Sequence, residues 1–108
     1  MAYDEVLAER LRDRLRDRPG VGEKRMFGGV AFLTYGNLTV GVFRDDLLVR
    51  LSPEDGEAAL DRPGVSAFDM TGRPLRGWIV VAGETLDDAD LDDWIAVASA
   101  FVATLAPK

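Results

Sequence analysis

Two short segments of the sequence place cationic side chains beside glycines and an aromatic ring. The first, KRMFGG, is Lys24, Arg25, Met26, Phe27, Gly28 and Gly29; the second, GRPLRGW, contains Arg73, Arg76 and Trp78. Backbone N–H groups of a glycine loop can bind a phosphate, and guanidinium groups beside an indole can bind an anion or a flat ring. These residues are therefore the candidates for binding a partner or a ligand.

Both segments also allow a structural interpretation. A phosphate loop needs a helix that begins after the glycines, whereas the apolar run of residues 30–33 follows KRMFGG. The pattern favours a bend or bulge at Gly28-Gly29 that leads into a strand, with Met26 and Phe27 packed under the sheet. GRPLRGW favours a polar turn from which Trp78 enters the core.

The side chains that most enzymes use are missing from the sequence. There is no histidine and no cysteine, which removes Ser-His-Asp and Cys-His nucleophile activation and most zinc or non-haem iron sites. The aspartates of DDADLDD begin with calcium-loop spacing, but Asp93 stands where glycine is required and Ser99 where glutamate is required. We predict no catalytic, cofactor-binding or metal-binding residue; an enzyme would have to work through carboxylates, Lys24 or a tyrosine.

The charge of the chain limits its partners. The net charge is -6 and is uneven: residues 1–53 hold nine Lys/Arg and eight Asp/Glu, and residues 54–108 hold four and eleven. An acidic chain lacks the basic footprint of a nucleic-acid-binding protein. The five arginines of residues 10–18 are interleaved with acids such as Glu9 and Asp13, so they form either a self-paired helix face or a local patch for an acidic partner.

The apolar pattern predicts an α+β domain. Helices are expected over residues 3–17, from Ser52-Pro53 to about residue 60, and after the acids at 87, 88 and 90. Strands are expected over residues 30–35, 38–43, 47–51, 66–70 and 78–81. The order is α-β-β-β-α-β-β-α, with an antiparallel five-stranded sheet.

The first predicted hairpin decides which side chains share a face of the sheet. A Gly36-Asn37 loop is expected, because glycine readily supplies the positive φ of a tight turn, and it would place Leu33 opposite Val40. One face would carry Val30, Phe32 and Phe43; the other would carry Ala31, Leu33, Val40 and Val42. Since both faces are apolar, either the three helices cover both faces or the second face is an interface.

The order of these segments resembles a known family. KRMFGG, the Gly-Asn hairpin, the LLVR strand, a PGV turn, GRPLRGW and a closing helix with a tryptophan are similar, over essentially the whole chain, to the N-terminal domain of the TfoX/Sxy family. The resemblance implies a two-layer α+β fold with a curved antiparallel sheet. Full-length members add a helical C-terminal domain and promote natural competence by assisting transcription, and they are not known as enzymes.

We therefore expect residues 1–108 to form a single stand-alone TfoX N-terminal-like domain, bacterial and cytoplasmic, that regulates by binding a protein partner or as a homodimer. The N-terminus is too charged for a signal peptide, and no apolar stretch approaches the length of a membrane span. Direct nucleic-acid binding is not expected. Two alternatives stay open: a binder of small anionic ligands that uses KRMFGG and GRPLRG, and an enzyme that works through carboxylates.

Overall fold

The structure, a computed structural model, describes residues 3–26, 28–69, 72 and 75–108. Along the chain its elements are α1 (Glu5–Leu15), β1 (Val21–Met26), β2 (Gly29–Thr34), β3 (Asn37–Phe43), β4 (Asp46–Arg50), α2 (Pro53–Ala59), β5 (Val65–Ala67), β6 (Trp78–Val81), a 3-10 turn (Gly83–Thr85) and α3 (Asp88–Val102). The strands pair antiparallel in the order β1-β2-β3-β4-β6-β5. The predicted α+β class is confirmed.

The described sheet has six strands, whereas the sequence predicted five. The additional strand is β1, which contains Lys24, Arg25 and Met26, and the prediction took this segment as a bent entrance to β2. Its sequence, VGEKRM, has no apolar alternation because β1 lies at the edge of the sheet and most of its side chains are exposed. Charges on an edge strand also discourage pairing with other chains.

Capping side chains fix where the helices begin. Asp4 accepts hydrogen bonds from the N–H groups of Val6 and Leu7 at the start of α1. The predicted Ser52 cap of α2 is confirmed, because its Oγ accepts from the Asp55 N–H at 3.1 Å. Asp87 caps α3 in the same way, with its Oδ1 2.8 Å from the Asp90 nitrogen. These bonds satisfy donors that have no partner inside a helix.

The predicted register of the β2–β3 hairpin is wrong. Thr34 pairs with Asn37, so the loop is Tyr35-Gly36, and both loop residues have positive φ as a tight hairpin turn requires. Asn37 cannot serve as a loop residue because it is buried and its Nδ2 donates to the Ala106 carbonyl at 2.9 Å. The register shifts again next to Phe32, where Thr39 is the extra residue of a β-bulge.

The bulge changes which side chains share a face. Phe32 is opposite Val40 and Leu33 is opposite Leu38, and directly opposed side chains lie on the same face. The face that contacts the helices therefore carries Val30, Phe32, Val40 and Val42, and the second face carries Ala31, Leu33, Leu38 and Phe43. The prediction placed Val40, Val42 and Phe43 on the wrong faces because one inserted residue inverts every side chain beyond it.

The sheet has a separate apolar cluster on each face. The helix-face core joins the sheet to the buried stripes of α1 and α3, to Leu51 and to Ala59 of α2. The second-face cluster is defined by the buried side chains of Ala31, Leu38, Leu48, Phe68 and Val80. The Phe68 ring stacks on Trp78 and meets the Phe43 ring edge-on. The described helices thus contribute to one core, and Phe68, just after β5, covers part of the other face.

Candidate functional site

KRMFGG forms the hairpin that joins β1 to β2. Met26 pairs with Gly29, and Gly28, which comes just before Gly29, has a φ of 74°. Met26 packs against the second-face cluster as predicted, and Phe27 lies outside the described residues. The expected bend at the glycines is present, but it connects two strands rather than a loop and a strand.

The two cations of KRMFGG lie on opposite faces of the sheet. Lys24 is opposite Ala31, a second-face residue, and Arg25 is opposite Val30, a helix-face residue. Successive side chains of a strand point to opposite faces, and both side chains are exposed. A single anion therefore cannot contact both side chains on one surface of β1.

The GRPLRGW segment lies far from KRMFGG. Trp78 begins β6, and β2, β3 and β4 lie between β6 and β1, a separation of about 19 Å at the usual strand spacing. Met26 and Trp78 border opposite parts of the second-face cluster, whereas Arg76 is exposed on the turn before β6. Arg73 lies outside the described residues. The structure thus separates the two segments into two places.

A groove lies between α2 and the start of β6, beside GRPLRGW. This α2–β6 groove has a volume of about 260 Å³ and is lined chiefly by Gly56, Leu60, Ala67, Leu75, Gly77 and Trp78, with Glu57 and Arg76 at its rim. The volume is below the roughly 300–1,000 Å³ of typical small-molecule pockets. It is large enough for one or two apolar side chains of a partner.

Two glycines set the floor of the α2–β6 groove. A Cβ on Gly56 would lie 2.5 Å from the Gly77 Cα, and a Cβ on Gly77 would lie 2.4 Å from the Leu51 carbonyl oxygen. Gly77 has a φ of 84° and its carbonyl accepts from the Leu51 N–H at 2.7 Å. A side chain on Gly56 would collide with the turn before β6, and one on Gly77 would collide with the segment that enters α2, so the groove depends on these close backbone contacts.

The groove has an exposed leucine on each side. Leu60, at the end of α2, is 40% exposed, and Leu75, just before β6, is 45% exposed. The other exposed large apolar side chains among the described residues are Val6, Tyr35 and Val97, none of which lines this groove. Neither leucine was predicted as a site residue. One feature of the sequence could have indicated this surface: Leu75 is an isolated leucine in an otherwise polar turn.

The rim of the groove carries opposite charges that are only loosely paired. The Nη2 of Arg76 is 3.9 Å from the Oε2 of Glu57, and both side chains are about three-quarters exposed. Exposed ion pairs of this kind contribute little to stability. Both charges therefore stay accessible to a partner.

The arginines of α1 are held by acids of the same chain. Two of the predicted three-residue pairs are present, Arg12 with Glu9 and Arg16 with Asp13. Arg12 also bonds Glu23 on β1, and its Nε is 2.7 Å from the Glu23 Oε1. These contacts favour the self-paired helix face over a patch for an acidic partner.

Ion pairs between α1 and α3 were not predicted. Arg10 and Arg14 both bond the Oδ1 of Asp88, at 3.1 and 2.9 Å, and the Nε of Arg14 is 2.6 Å from the Oδ1 of Asp92. The hydrogen bond from Arg10, and then that from Arg14, lowers the pKa of Asp88. The bond from Arg12 likewise lowers the pKa of Glu23. This cluster joins α1 to α3 and to the edge of the sheet, and because its carboxylates are exposed, each pair contributes only modestly to stability.

The described residues contain no group of three or more His, Cys, Asp or Glu side chains that could hold a metal ion. Within the same residues, no helix has the length and apolar character needed to cross a membrane.

These features define a small α+β domain with an antiparallel sheet, helices packed on one face, and an apolar groove beside its sixth strand. The family model for the TfoX N-terminal domain matches residues 13–102 of the 108, and the chain belongs to that family. The matched span includes both cationic segments and the whole of the groove. Comparisons with curated proteins and with solved structures gave no match.

Proposed function

We propose that this chain is a non-enzymatic regulatory domain that acts by binding a protein partner, and that the α2–β6 groove is where the partner docks. The observation that carries the proposal is the pair of exposed leucines, Leu60 and Leu75, on the two sides of one groove. Exposed apolar side chains gathered in one concavity are typical of protein-binding surfaces.

The regulatory part of the proposal rests on family membership. The TfoX N-terminal domain match covers most of the chain, and the resemblance to TfoX/Sxy proteins implies a link to transcription and DNA uptake. A cytoplasmic, non-catalytic role is in keeping with a sequence that has no histidine and no cysteine. Fold alone does not determine function, so the groove has to be tested directly.

The test replaces both leucines by glutamate and compares the proteins that each form captures. Tagged wild type, Leu60→Glu/Leu75→Glu and a control, Val97→Glu, are incubated with extract of the native host, cross-linked and quantified by mass spectrometry. Val97 is a suitable control because it is 44% exposed on α3, outside the groove. Circular dichroism and thermal melting establish that all three forms are folded.

We expect at least one protein that wild type and the control capture equally and that the groove variant captures about tenfold less, since a glutamate buried by the partner without a counter-charge is costly to desolvate. A captured protein whose yield is the same for all three folded forms would show that partners dock elsewhere. Conversion of a substrate by the purified chain, abolished in a carboxylate variant, would contradict the non-enzymatic assignment.

A further inference from the structure

Three acids form a row beside the α2–β6 groove: Glu54 and Glu57 in α2, and Asp61 in the turn that follows it. Pro53, Gly56 and Leu60 line the groove. The next residue along the chain is an acid in each case: Glu54, Glu57 and Asp61. The three-residue step places Glu54 and Glu57 on one side of α2, and Asp61 follows in a turn whose N–H groups bond carbonyls three residues earlier. Glu54 and Asp61 are exposed, and Glu57 is at the rim. An apolar floor thus runs beside an acidic wall.

Few cations oppose that wall. Arg76 is the cation that lines the groove among the described residues, and its 3.9 Å pair with Glu57 is weak. The guanidinium of Arg62 lies over the Trp94 ring at 4.4 Å. That of Arg50 lies between the Trp78 and Phe101 rings. These two arginines are therefore engaged with aromatic rings rather than with Glu54, Glu57 or Asp61.

From this arrangement we infer that the α2–β6 groove binds a short, basic, amphipathic peptide segment of a protein partner. The segment inserts one or two apolar side chains between Leu60 and Leu75, and its lysines or arginines face Glu54, Glu57 and Asp61. The volume of about 260 Å³ sets the number of inserted side chains, and complementary charge selects the partner. The inference rests on the proposed function and specifies its partner by chemical class.

Arg76 separates this inference from the alternative of an anion-binding site. If the partner is basic, its cations compete with Arg76 for Glu57, and Arg76→Ala strengthens binding. If the ligand is anionic, Arg76 is a direct contact, and Arg76→Ala weakens binding. The same substitution thus has opposite effects in the two cases.

The experiment uses two labelled fourteen-residue helical peptides and the full chain. One peptide has leucines on one face and lysines on the other, and the second has glutamates in place of the lysines. Fluorescence anisotropy is measured with wild type, Arg76→Ala, the row variant Glu54→Gln/Glu57→Gln/Asp61→Asn and a control of equal charge change, Asp17→Asn/Glu84→Gln/Asp93→Asn. The control acids are exposed and lie outside the groove.

We expect the lysine peptide to bind wild type. It should bind the row variant about tenfold more weakly, because several exposed charge pairs are lost. Its affinity for the control should stay within about twofold of that for wild type. Arg76→Ala should bind it more tightly. If the row variant and the control bind the lysine peptide equally weakly, the effect comes from the net charge of the chain and not from the acid row. That result would overturn the inference. Preference for the glutamate peptide, lost in Arg76→Ala, would overturn it in favour of an anionic ligand.

The outcome is distinguishable from a failure of the proposed function. If Leu60→Glu/Leu75→Glu loses a captured protein while the lysine peptide does not bind, the groove is a docking site and the assigned partner chemistry is wrong. If Leu60→Glu/Leu75→Glu captures the same proteins as wild type, and the lysine peptide binds the row variant as tightly as wild type, both proposals fail.

Discussion

Gly28 and Gly29 illustrate two different reasons for a glycine. Gly28 has a φ of 74° and an added Cβ would meet no atom within 4 Å, so its requirement is conformational. Gly29 has no such φ, but an added Cβ would lie 2.0 Å from the Val42 carbonyl oxygen. The first position excludes most side chains through backbone strain and the second through a collision with β3.

We predict that Gly28→Val and Gly29→Val each lower the free energy of unfolding by roughly 1–3 kcal/mol. The two reasons can be separated with milder substitutions. Gly28→Asn should be tolerated because asparagine adopts positive φ more readily than other residues, whereas Gly29→Ala should remain destabilising because its Cβ alone collides. Thermal denaturation measures all four variants. Unchanged midpoints for both valine variants would contradict a constrained turn.

The residues of the proposed docking groove differ in how far the sequence could indicate them. Arg76 and Trp78 were predicted from a cationic and aromatic segment, and both line the α2–β6 groove. Leu60 and Leu75 were missed because a leucine is normally buried, and its exposure depends on where α2 packs against β6. Lys24 and Arg25 were grouped by their adjacency in sequence, but the alternation of a strand places them on opposite faces.

At the scale of elements, local patterns predicted the helices and the apolar strands well. Trp78–Val81 was predicted with its observed bounds, and Ser52 capped the helix it was expected to cap. The missed strand β1 is charged, and the β-bulge at Thr39 has no strong local pattern. Both features depend on hydrogen-bonded pairing with a neighbouring strand, and a short stretch of sequence does not encode that pairing.

The contacts between α1 and α3 join residues more than seventy positions apart. Asp88 takes part in these contacts and Glu23 in the contact between α1 and β1, and the pKa of both carboxyls is lowered by their arginine partners. Both carboxyls are more acidic in the folded chain, so their pairs stabilise it fully above the ordinary carboxyl pKa of about 4. This stabilisation is lost as the pH falls through the lower, folded values.

We predict that the chain loses stability as the pH falls below about 4, and that Asp88→Asn loses less over the same window because it has one fewer group to protonate. Urea denaturation across a pH series measures the slope. Asp93→Asn is the control, since Asp93 is on the same helix and makes no ion pair among the described residues. A slope unchanged by Asp88→Asn, or reduced equally by Asp93→Asn, would contradict the assigned role of the Arg10 and Arg14 pairs.

At the scale of the whole molecule, two surfaces bear on possible partners: the arginines of α1 and the apolar second face of the sheet. All three arginines of α1, Arg10, Arg12 and Arg14, bond acids of the same chain, and weak nucleic-acid binding by the domain itself stays a prediction. The second face of the sheet is less open than the sequence suggested, because the side chains of its cluster are buried. The partly exposed side chains at the border of that cluster are Met26, Leu33, Phe43 and Trp78.

Homodimerisation through this second face stays a prediction, and the border residues are its best test. A two-fold dimer is the commonest way to bury an apolar surface, and an interface of ordinary size hides about 1,600 Å² in total. We expect sedimentation velocity to show a concentration-dependent dimer in the micromolar range, and Phe43→Asp to shift it towards monomer. Phe43 is suitable because its ring is only partly buried, so an aspartate there can remain solvated.

Val97→Asp is the matched control for the dimer, since it adds the same charge on the outer side of α3. Only an effect specific to Phe43→Asp, with both variants folded by circular dichroism, would locate the contact on the second face. A wild-type chain that remains monomeric to high micromolar concentration would show that Phe68 and its neighbours already cover this face sufficiently. In that case Phe43→Asp should lower only the thermal midpoint, because the substitution removes the edge-on contact between the Phe43 and Phe68 rings.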